Sequence, residues 1–249
     1  MRPPLTILYR DAHLVAIDKP AGLLVHRDQE TAETGDFALQ RVRDQVGCRV
    51  YPLHRLDRPT SGVLLFALDA ETAGRMGPLF HQGGVQKHYL AVVRGHTRAA
   101  GHIDHPLKRL PGRRHPKANG GPPQESVTAF RRLGEIELPF GVDRYPTSRY
   151  SLIALTPKTG RRHQLRRHMK HIAHPIVGDT RYGKGTHNRF FADHFGCRGL
   201  LLTAVALCFD HPLTGAQVCI RAPLPNHFAA LIRRLGWGGL YAQAQFGET

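Results

Sequence analysis

Cysteine is scarce in this sequence, and long apolar runs are missing from it. The four cysteines are Cys48, Cys197, Cys208 and Cys219, and none of them forms a C-x-x-C pair. Because no apolar stretch approaches the length of a membrane-spanning helix, we expect a cytoplasmic protein. In that reducing compartment, this cysteine pattern predicts free, buried thiols rather than disulfides or a zinc site.

Acidic residues are also few compared with basic ones. The chain has 19 Asp and Glu residues against 35 Lys and Arg residues, which gives a formal net charge of +16. Solubility alone does not require so one-sided a surface. The imbalance therefore indicates a polyanionic partner, most simply a nucleic acid.

The 249 residues, of which 41% are hydrophobic, suffice for one large domain or for two lobes that share a cleft. Strand-like segments outnumber helical ones and do not alternate regularly with them, so the sequence predicts an α+β fold rather than a doubly wound one. Apolar spacing predicts helices over 38–46, 70–80, 162–172 and 228–235. It predicts strands over 7–9, 14–17, 87–94, 126–133, 150–155, 199–209 and 218–222.

Residues 108–125 are rich in proline, glycine and cations. Proline and glycine interrupt regular structure, and a run of like charges does not bury itself in a core. We interpret this segment as an exposed basic loop that could become ordered only on RNA.

One acidic residue, Asp57, lies between two arginines, Arg55 and Arg58, directly before a buried strand predicted at 63–68. Cations beside a carboxylate favour its charged form, whereas burial alone disfavours it. The pattern is typical of a carboxylate that stays ionised in a cleft. It also fits a structural ion pair in a turn, and the residues by themselves leave both interpretations open.

A second basic segment follows much later in the chain. Residues 161–171 contain five Lys or Arg residues, three histidines and no acid, which indicates a surface that faces a polyanion. On the predicted helix, Arg162, Arg166 and Lys170 share a face. Arg166 directly follows Leu165, which lies on the buried stripe, so its guanidinium can lean inward and then needs a partner.

Four histidines in and after this segment, His163, His168, His171 and His174, are candidates for metal ligands. No carboxylate or cysteine accompanies them at ligand spacing, and the neighbouring cations disfavour a bound cation. We therefore favour phosphate contact or simple exposure over a metal site.

Three ordered motifs resemble the signatures of the RluA-type pseudouridine synthases. The similarity runs from about residue 7 to residue 223, which is most of the chain. Since the first signature begins at His54, we expect no S4-like RNA-binding extension and a single catalytic domain over residues 1–249. The matching segments are 54–65 (His-Arg-Leu-Asp-x-x-Thr-Ser-Gly-x-Leu-Leu), 87–95 (Lys-x-Tyr-x-Ala-x-Val-x-Gly), 159–168 (Thr-Gly-Arg-x-His-Gln-Leu-Arg-x-His) and 174–179 (His-Pro-Ile-x-Gly-Asp).

This resemblance implies the pseudouridine synthase fold: a mixed, mostly antiparallel central sheet in two lobes, flanked by helices, with a basic active-site cleft. It implies isomerisation of uridine to pseudouridine in RNA, with no cofactor, no metal and no obligate protein partner. Residues 145–150, 157–161 and 188–196 are most similar to a tRNA-modifying subgroup that acts on uridine-65. We therefore expect tRNA as the partner.

The resemblance also implies roles for individual residues. Asp57 would be the nucleophile or essential carboxylate, and Arg166 would pair with it. Tyr89 would stack on the uracil and could help remove the C5 proton, and Arg55 would enter the RNA stack where the uridine has flipped out. The other residues implied to bind substrate are Arg58, Arg161, Arg162, Leu165, Arg167 and Lys170.

One departure from the family pattern stands in the late strand, where Thr203 replaces a usual histidine before Ala204. Three alternatives remain open. The same chemistry could act on large-subunit ribosomal RNA, or the chain could be a non-catalytic RNA-binding protein. A metal-dependent nuclease is the third, and it is disfavoured because the sequence lacks clustered acids that could hold Mg²⁺.

Overall fold

The computed structural model describes residues 3–26, 36–110, 121–244 and 246. Its helices are α1 (Ala38–Val46), α2 (Ala70–Gln82), α3 (Gln164–His171), α4 (Gly185–Phe195), α5 (Asn226–Arg234) and α6 (Gly238–Ala242). Its strands are β1 (Ile7–Arg10), β2 (Leu14–Lys19), β3 (Tyr51–Pro52), β4 (Ser61–Ala67), β5 (Val85–Arg94), β6 (Ala100–Asp104), β7 (Val127–Leu138), β8 (Ser148–Pro157), β9 (Leu202–Asp210) and β10 (Gln217–Arg221).

The strands form one ten-stranded sheet in the order β1-β2-β4-β9-β5-β8-β7-β6, with β3 paired to β4 and β10 paired to β9. Strands β4 and β9 run parallel, and the other pairs are antiparallel. The predicted α+β class and the mostly antiparallel central sheet are therefore confirmed. The junction of β4 with β9 joins the two halves of the sheet.

The central strand β5 is covered on both faces, as its alternating sequence predicts. Leu90 and Val92 belong to the core cluster that includes α4 and α5. Ala91 and Val93 belong to the cluster that includes residues of α3, and Tyr89 packs against that same cluster. The side chain of Tyr89 is thus on the α3 side of the sheet.

The β4–β9 junction depends on a glycine. Gly62 has φ +106°, and a Cβ at this position would lie 2.1 Å from the carbonyl oxygen of Ala204. Only glycine combines this conformation with so close an approach. Beside it, the Ser61 hydroxyl donates to Thr203 Oγ1 at 3.1 Å, and Thr203 Oγ1 lies 3.3 Å from the Ser61 carbonyl. Thr203, the departure from the family pattern, therefore ties β9 to the start of β4.

Helix α3 is shorter than predicted. It begins at Gln164 because His163 has a left-handed backbone conformation, with φ 56° and ψ 25°. Arg162 consequently precedes the helix, and the prediction that it shares a helical face with Arg166 and Lys170 is wrong. Helix α2 is longer than predicted: it continues through Pro78 to Gln82.

The cysteine prediction is wrong for three of the four residues. Cys208 and Cys219 are directly opposite each other in the β9–β10 register and form a disulfide with an S–S distance of 2.08 Å. Cys48 is exposed, whereas Cys197 is buried and free as expected. The spacing of cysteines along the chain does not reveal pairing across a hairpin, which depends on the strand register. Within the described residues, no helix is long and apolar enough to cross a membrane.

Candidate active site

A cleft of about 410 Å³ opens between the 54–60 loop and the start of α3. Residues of α2, of the following strand β5 and of β9 also line it, so segments that are distant in sequence meet there. The predicted site residues that line the cleft are Arg55, Asp57, Tyr89, Arg161, Arg162, Leu165 and Arg166. The predicted residues Arg58, Arg167 and Lys170 are not among the residues that line it.

The loop that carries Asp57 is fixed by backbone contacts. The N–H of Thr60 donates to the carbonyl of Asp57 at 3.0 Å, which closes a turn. The carbonyl of Arg58 accepts from the N–H of Gly22 at 2.8 Å and from Nζ of the fully buried Lys19 at 3.3 Å. Arg58 also donates from Nε to the carbonyl of Gly22 at 3.1 Å. These contacts hold the loop against the end of β2.

His54, at the start of this loop, is a structural residue. Its Nε2 accepts a hydrogen bond from the N–H of Leu65 at 3.1 Å, and its ring stacks on Phe80 at 5.2 Å. Burial, reinforced by the charge of Lys87, lowers the pKa of His54 to about 3. The imidazole is therefore neutral at neutral pH and anchors the loop to β4.

Arg166 joins two carboxylates. Its Nη1 donates to Asp57 Oδ2 at 3.1 Å, while Nε and Nη2 donate to Asp179 Oδ2 and Oδ1 at 2.7 and 2.9 Å. The side chain of Arg166 is 6% exposed, that of Asp57 is 18% exposed and that of Asp179 is fully buried. The sequence-based pairing of Arg166 with Asp57 is thus present in the geometry, and a second partner lies behind it.

Asp179 received no role from the sequence, although it ends the last of the matching segments. Its Oδ1 also accepts from the N–H groups of Arg181 and Tyr182, at 2.9 and 3.0 Å. Burial by itself raises the pKa of Asp179, but the hydrogen bonds from Arg166 and the two N–H groups outweigh it and lower that pKa. The one available signal was that an arginine leaning into the interior needs more compensation than a single, partly exposed carboxylate provides.

For Arg166, as for Asp179, hydrogen bonds and opposite charges outweigh the effect of burial on the pKa. Burial disfavours its charge, but the hydrogen bonds and charge of Asp179, and then the charge of Asp57, raise the pKa of the guanidinium above its ordinary value. Arg166 is therefore a permanent cation beside Asp57. Its positive charge lies 3.1 Å from Asp57 Oδ2 in the cleft.

Tyr89 and Lys87 face the cleft from β5. Burial, followed by the charge of Asp57, raises the pKa of the Tyr89 phenol well above its ordinary value. The phenol therefore stays protonated at neutral pH, which favours a stacking or proton-donating role over that of a phenolate base. Lys87 is 8% exposed and donates to the carbonyl of Thr159 at 3.3 Å, and burial lowers its pKa. The sequence motif contained Lys87, but it suggested no role for it.

His163 also faces Asp57, which the sequence did not suggest. Its Nε2 is 3.9 Å from Asp57 Oδ1, and its Nδ1 is 3.0 Å from the hydroxyl of Tyr182. The ring is 13% exposed. Burial, more than the surrounding charges, lowers the pKa of His163 to about 4, so its imidazole is neutral at neutral pH.

The other predicted basic residues contact the ends of the basic loop or are exposed. The side chain of Arg167 donates to the carbonyl of Lys108 at 3.0 Å, and that of Arg161 donates to the carbonyl of Glu125 at 3.1 Å. Both ends of the predicted basic loop 108–125 are therefore tied to the site, and its residues 111–120 lie outside the described part of the chain. Lys170 is exposed on α3.

The other histidines of the basic segment make separate protein contacts. His168 lies between Thr128 Oγ1 and the carbonyl of His105, at 3.0 and 3.1 Å. His171 stacks on His105, and His174 Nδ1 is 2.9 Å from the carbonyl of Arg94. Among the described residues, no group of three or more His, Cys, Asp or Glu side chains could hold a metal ion.

Comparisons with known proteins agree with this geometry. A family model described as RNA pseudouridylate synthase matches residues 13–171. A tRNA pseudouridine synthase C from Haemophilus ducreyi is 50% identical over 239 residues, which is 94% of this chain and 96% of that protein. A tRNA pseudouridine synthase C from Vibrio cholerae is 46% identical over 235 residues, which is 94% of this chain and 96% of that protein.

Two solved structures of pseudouridylate synthase domains have a fold similar to that of this chain. Human RNA pseudouridylate synthase domain containing 4 superimposes with a TM-score of 0.70 at 25% identity, over 93% of each chain. Human RNA pseudouridylate synthase domain containing 1 has a TM-score of 0.68 at 27% identity, over 92% of this chain and 90% of that one. The predicted resemblance is confirmed over nearly the whole length.

Proposed function

The chain belongs to the RNA pseudouridylate synthase family, and from that membership we propose that it isomerises uridine to pseudouridine in tRNA, at uridine-65. The RNA class is supported by the relatives that are 46% and 50% identical, each named tRNA pseudouridine synthase C. The net charge of +16 agrees with a polyanionic substrate.

The observation that carries the proposal is the contact between Asp57 and Arg166. The two residues are 109 positions apart, and their side chains meet at 3.1 Å in a cleft. A protein that only binds RNA gains nothing from a carboxylate facing an anionic ligand, because like charges repel. A partly exposed carboxylate held by a buried cation is instead suited to chemistry on a base.

The reaction rearranges bonds within one nucleotide. The bond from uracil N1 to ribose C1′ breaks, the uracil turns, and a bond from C5 to C1′ forms. The proton on C5 is lost and N1 gains one, so no oxidant, reductant or transferred group is needed. Asp57 is the essential carboxylate that drives this exchange, and Arg166 orients it through the hydrogen bond to Oδ2.

Access to the uridine requires extrusion from the RNA stack, which costs a few kcal/mol. Tyr89 is placed to stack on the extruded uracil, and Leu165 adds an apolar contact from α3. Arg55 lies on the loop that carries Asp57, where its guanidinium can fill the space that the base leaves. Arg58, Arg161, Arg162, Arg167 and Lys170 hold the phosphate backbone.

The proposal is tested with tRNA that carries tritium at uracil C5. We expect purified wild-type protein to release tritium without added metal or cofactor, and Asp57→Asn to release none while still binding tRNA. Asp44→Asn is the matched control, because Asp44 is an exposed residue of α1 paired with its neighbour Arg43. Turnover by Asp57→Asn would overturn the role of the carboxylate.

The substrate is tested separately. A tRNA with cytidine at position 65 should release no tritium, and unmodified ribosomal RNA should release none. Release from ribosomal RNA alone would keep the chemistry and overturn the substrate. Tight binding to both RNAs with no release from either would support a non-catalytic RNA-binding protein instead.

A further inference from the structure

We propose that His163 is a positioning residue for Asp57, and that it donates a hydrogen bond from Nε2 to Asp57 Oδ1 when the cleft closes on substrate. This inference rests on the proposed function of Asp57. It concerns a residue whose backbone, side-chain partners and charge all point to the same role.

The backbone of His163 is held in an unfavourable conformation. Its φ of 56° is one of two positive values among the described non-glycine residues, the other being that of Ala173. For a residue with a side chain, the left-handed conformation brings Cβ close to the following carbonyl oxygen and is therefore unfavourable. Such conformations persist where the surroundings over-determine them, and they cluster at functional sites.

The following residue, Gln164, enforces this conformation. Its Oε1 accepts from Thr159 Oγ1 at 2.7 Å and from the N–H of Arg161 at 3.0 Å. Its Nε2 donates to the carbonyl of Val127 and to Thr128 Oγ1, both at 3.0 Å. The four contacts fix the start of α3, so the chain must turn at His163 to reach it.

That turn aims the imidazole at the cleft. Nε2 is 3.9 Å from Asp57 Oδ1, longer than a hydrogen bond, while Nδ1 is 3.0 Å from the Tyr182 hydroxyl. Catalytic hydrogen bonds are often long in the absence of substrate and shorten in the complex. Arg166 already donates to Oδ2 of the same carboxylate. A donor on Oδ1 would fix the rotation of the carboxylate about its Cβ–Cγ bond.

The charges around His163 select the tautomer that this role requires. The groups that act on it are Asp57, Arg166, Arg162 and Arg181, and burial keeps the ring neutral. A neutral imidazole carries one N–H. If Nε2 lacked the proton, its lone pair would face the Asp57 carboxylate and repel it. The proton therefore belongs on Nε2, and the Tyr182 hydroxyl donates to Nδ1.

Tyr182 is itself anchored. Its N–H donates to Asp179 Oδ1 at 3.0 Å, and the Arg166 guanidinium lies 5.2 Å from its ring centre. The buried Arg166–Asp179 pair thus orients both donors to Asp57: one directly through Arg166, and the other through Tyr182 and His163.

The first test needs no activity. In protein labelled with ¹⁵N-histidine, long-range ¹H–¹⁵N spectra at pH 7 report the tautomer of each ring, and the signal lost in His163→Asn identifies His163. We expect a neutral ring protonated at Nε2. A ring that is cationic or protonated at Nδ1 in the wild type would overturn the inference.

The second test is single-turnover tritium release from tRNA by His163→Asn, Tyr182→Phe and the double variant. Asparagine tolerates the left-handed backbone but cannot reach Asp57, so we expect the rate at saturating enzyme to fall about tenfold, the loss typical of one hydrogen bond. Tyr182→Phe should cost less, and the double variant no more than His163→Asn alone. Additive losses, or a normal rate for His163→Asn, would contradict the positioning role.

The third measurement separates this role from a structural one. His163→Gly removes the left-handed penalty, so we expect its Tm to equal or exceed that of the wild type while its rate falls as in His163→Asn. A purely structural histidine would show the opposite: a lower Tm and a normal rate for the folded protein. His194→Asn, on α4 where the ring stacks on Phe190, is the matched control and should retain wild-type turnover.

Discussion

The two aspartates that contact Arg166 lie in opposite surroundings. On the interior side, Asp179 is fully buried, receives two hydrogen bonds from the guanidinium and accepts two more from backbone N–H groups. On the cleft side, Asp57 is 18% exposed and receives one hydrogen bond from the same guanidinium. One arginine therefore links a saturated carboxylate to one that is only partly satisfied.

This difference separates orientation from reactivity. A buried ion pair is tolerable only when its hydrogen bonds are complete, as they are around Asp179. A carboxylate that must react cannot be saturated in this way before substrate binds, because complete hydrogen bonding would leave no oxygen lone pair for the reaction. We infer that Asp179 holds Arg166 in place and that Arg166 then holds Asp57 with a single contact.

The largest effect expected from this comparison is on stability, at Asp179. Asp179→Asn leaves a buried guanidinium without its main counter-charge, and we expect the free energy of unfolding to fall by about 3–5 kcal/mol. Asp57→Asn should change it by no more than about 1 kcal/mol, because that pair is partly exposed to water and contributes one hydrogen bond. Urea unfolding followed by circular dichroism measures both changes. Equal losses of unfolding free energy in the two variants would show that Asp179 and Asp57 do not differ in their contribution to stability.

The next effect is on turnover, at Arg166. Lysine keeps the charge but cannot contact two carboxylates with a planar fork, so we expect Arg166→Lys to lower kcat for tRNA about a hundredfold with a much smaller change in affinity. Arg75→Lys is the control, because Arg75 lies exposed on α2 and pairs with Glu71 on the same helix. Its kcat should stay near the wild-type value. Parallel losses of kcat and affinity in Arg166→Lys would make Arg166 a plain phosphate contact.

Local pattern singled out some of the residues that face the cleft, while their roles came from the family resemblance and His163 was missed. A strand-flanked acid between arginines identified Asp57, and a basic helix with an inward-leaning arginine identified Arg166. The alternation of β5 correctly placed Tyr89 on the face of Ala91 and Val93. Each of these signals lies within one short stretch of the sequence, where the two-residue period of a strand or the 3.6-residue period of a helix makes it visible.

The interior half depends on contacts that such patterns do not contain. Asp179 reaches Arg166 through a turn after α3, and its role follows from a three-dimensional count of hydrogen-bond partners. The left-handed conformation of His163 arises because Gln164 binds backbone and side-chain groups of β7 and of the preceding loop. For the same reason, the predicted helix began two residues too early. Tertiary contacts overrode the local helical spacing there.

Acid titration tests the interior side through the difference in stability between wild type and Asp179→Asn. Hydrogen bonds lower the pKa of Asp179 in the folded protein below its unfolded value near 3.9. A lowered carboxyl pKa stabilises the fold fully above the unfolded pKa, and this stabilisation is lost as the pH falls through the folded pKa. We therefore expect the stability gap between wild type and Asp179→Asn to be constant above about pH 5 and to narrow below pH 4. A gap that stays constant down to pH 2.5 would show that the charge of Asp179 is not what stabilises the fold.

The smallest effect is expected on RNA binding, at Arg167. This residue follows Arg166 in the chain, but its side chain belongs to the RNA-facing side rather than to the interior. Arg167 is partly exposed and contacts the carbonyl of Lys108, so its charge remains available to an RNA phosphate. If it neutralises one phosphate, Arg167→Ala should reduce the slope of log Kd for tRNA against log salt concentration by about 0.7–0.9, with the same loss for any tRNA sequence. The slope is measured by filter binding at salt concentrations from about 50 to about 200 mM. An unchanged slope would place Arg167 with the structural cations, and the boundary between interior and RNA-facing charge would then lie further along α3, at Lys170.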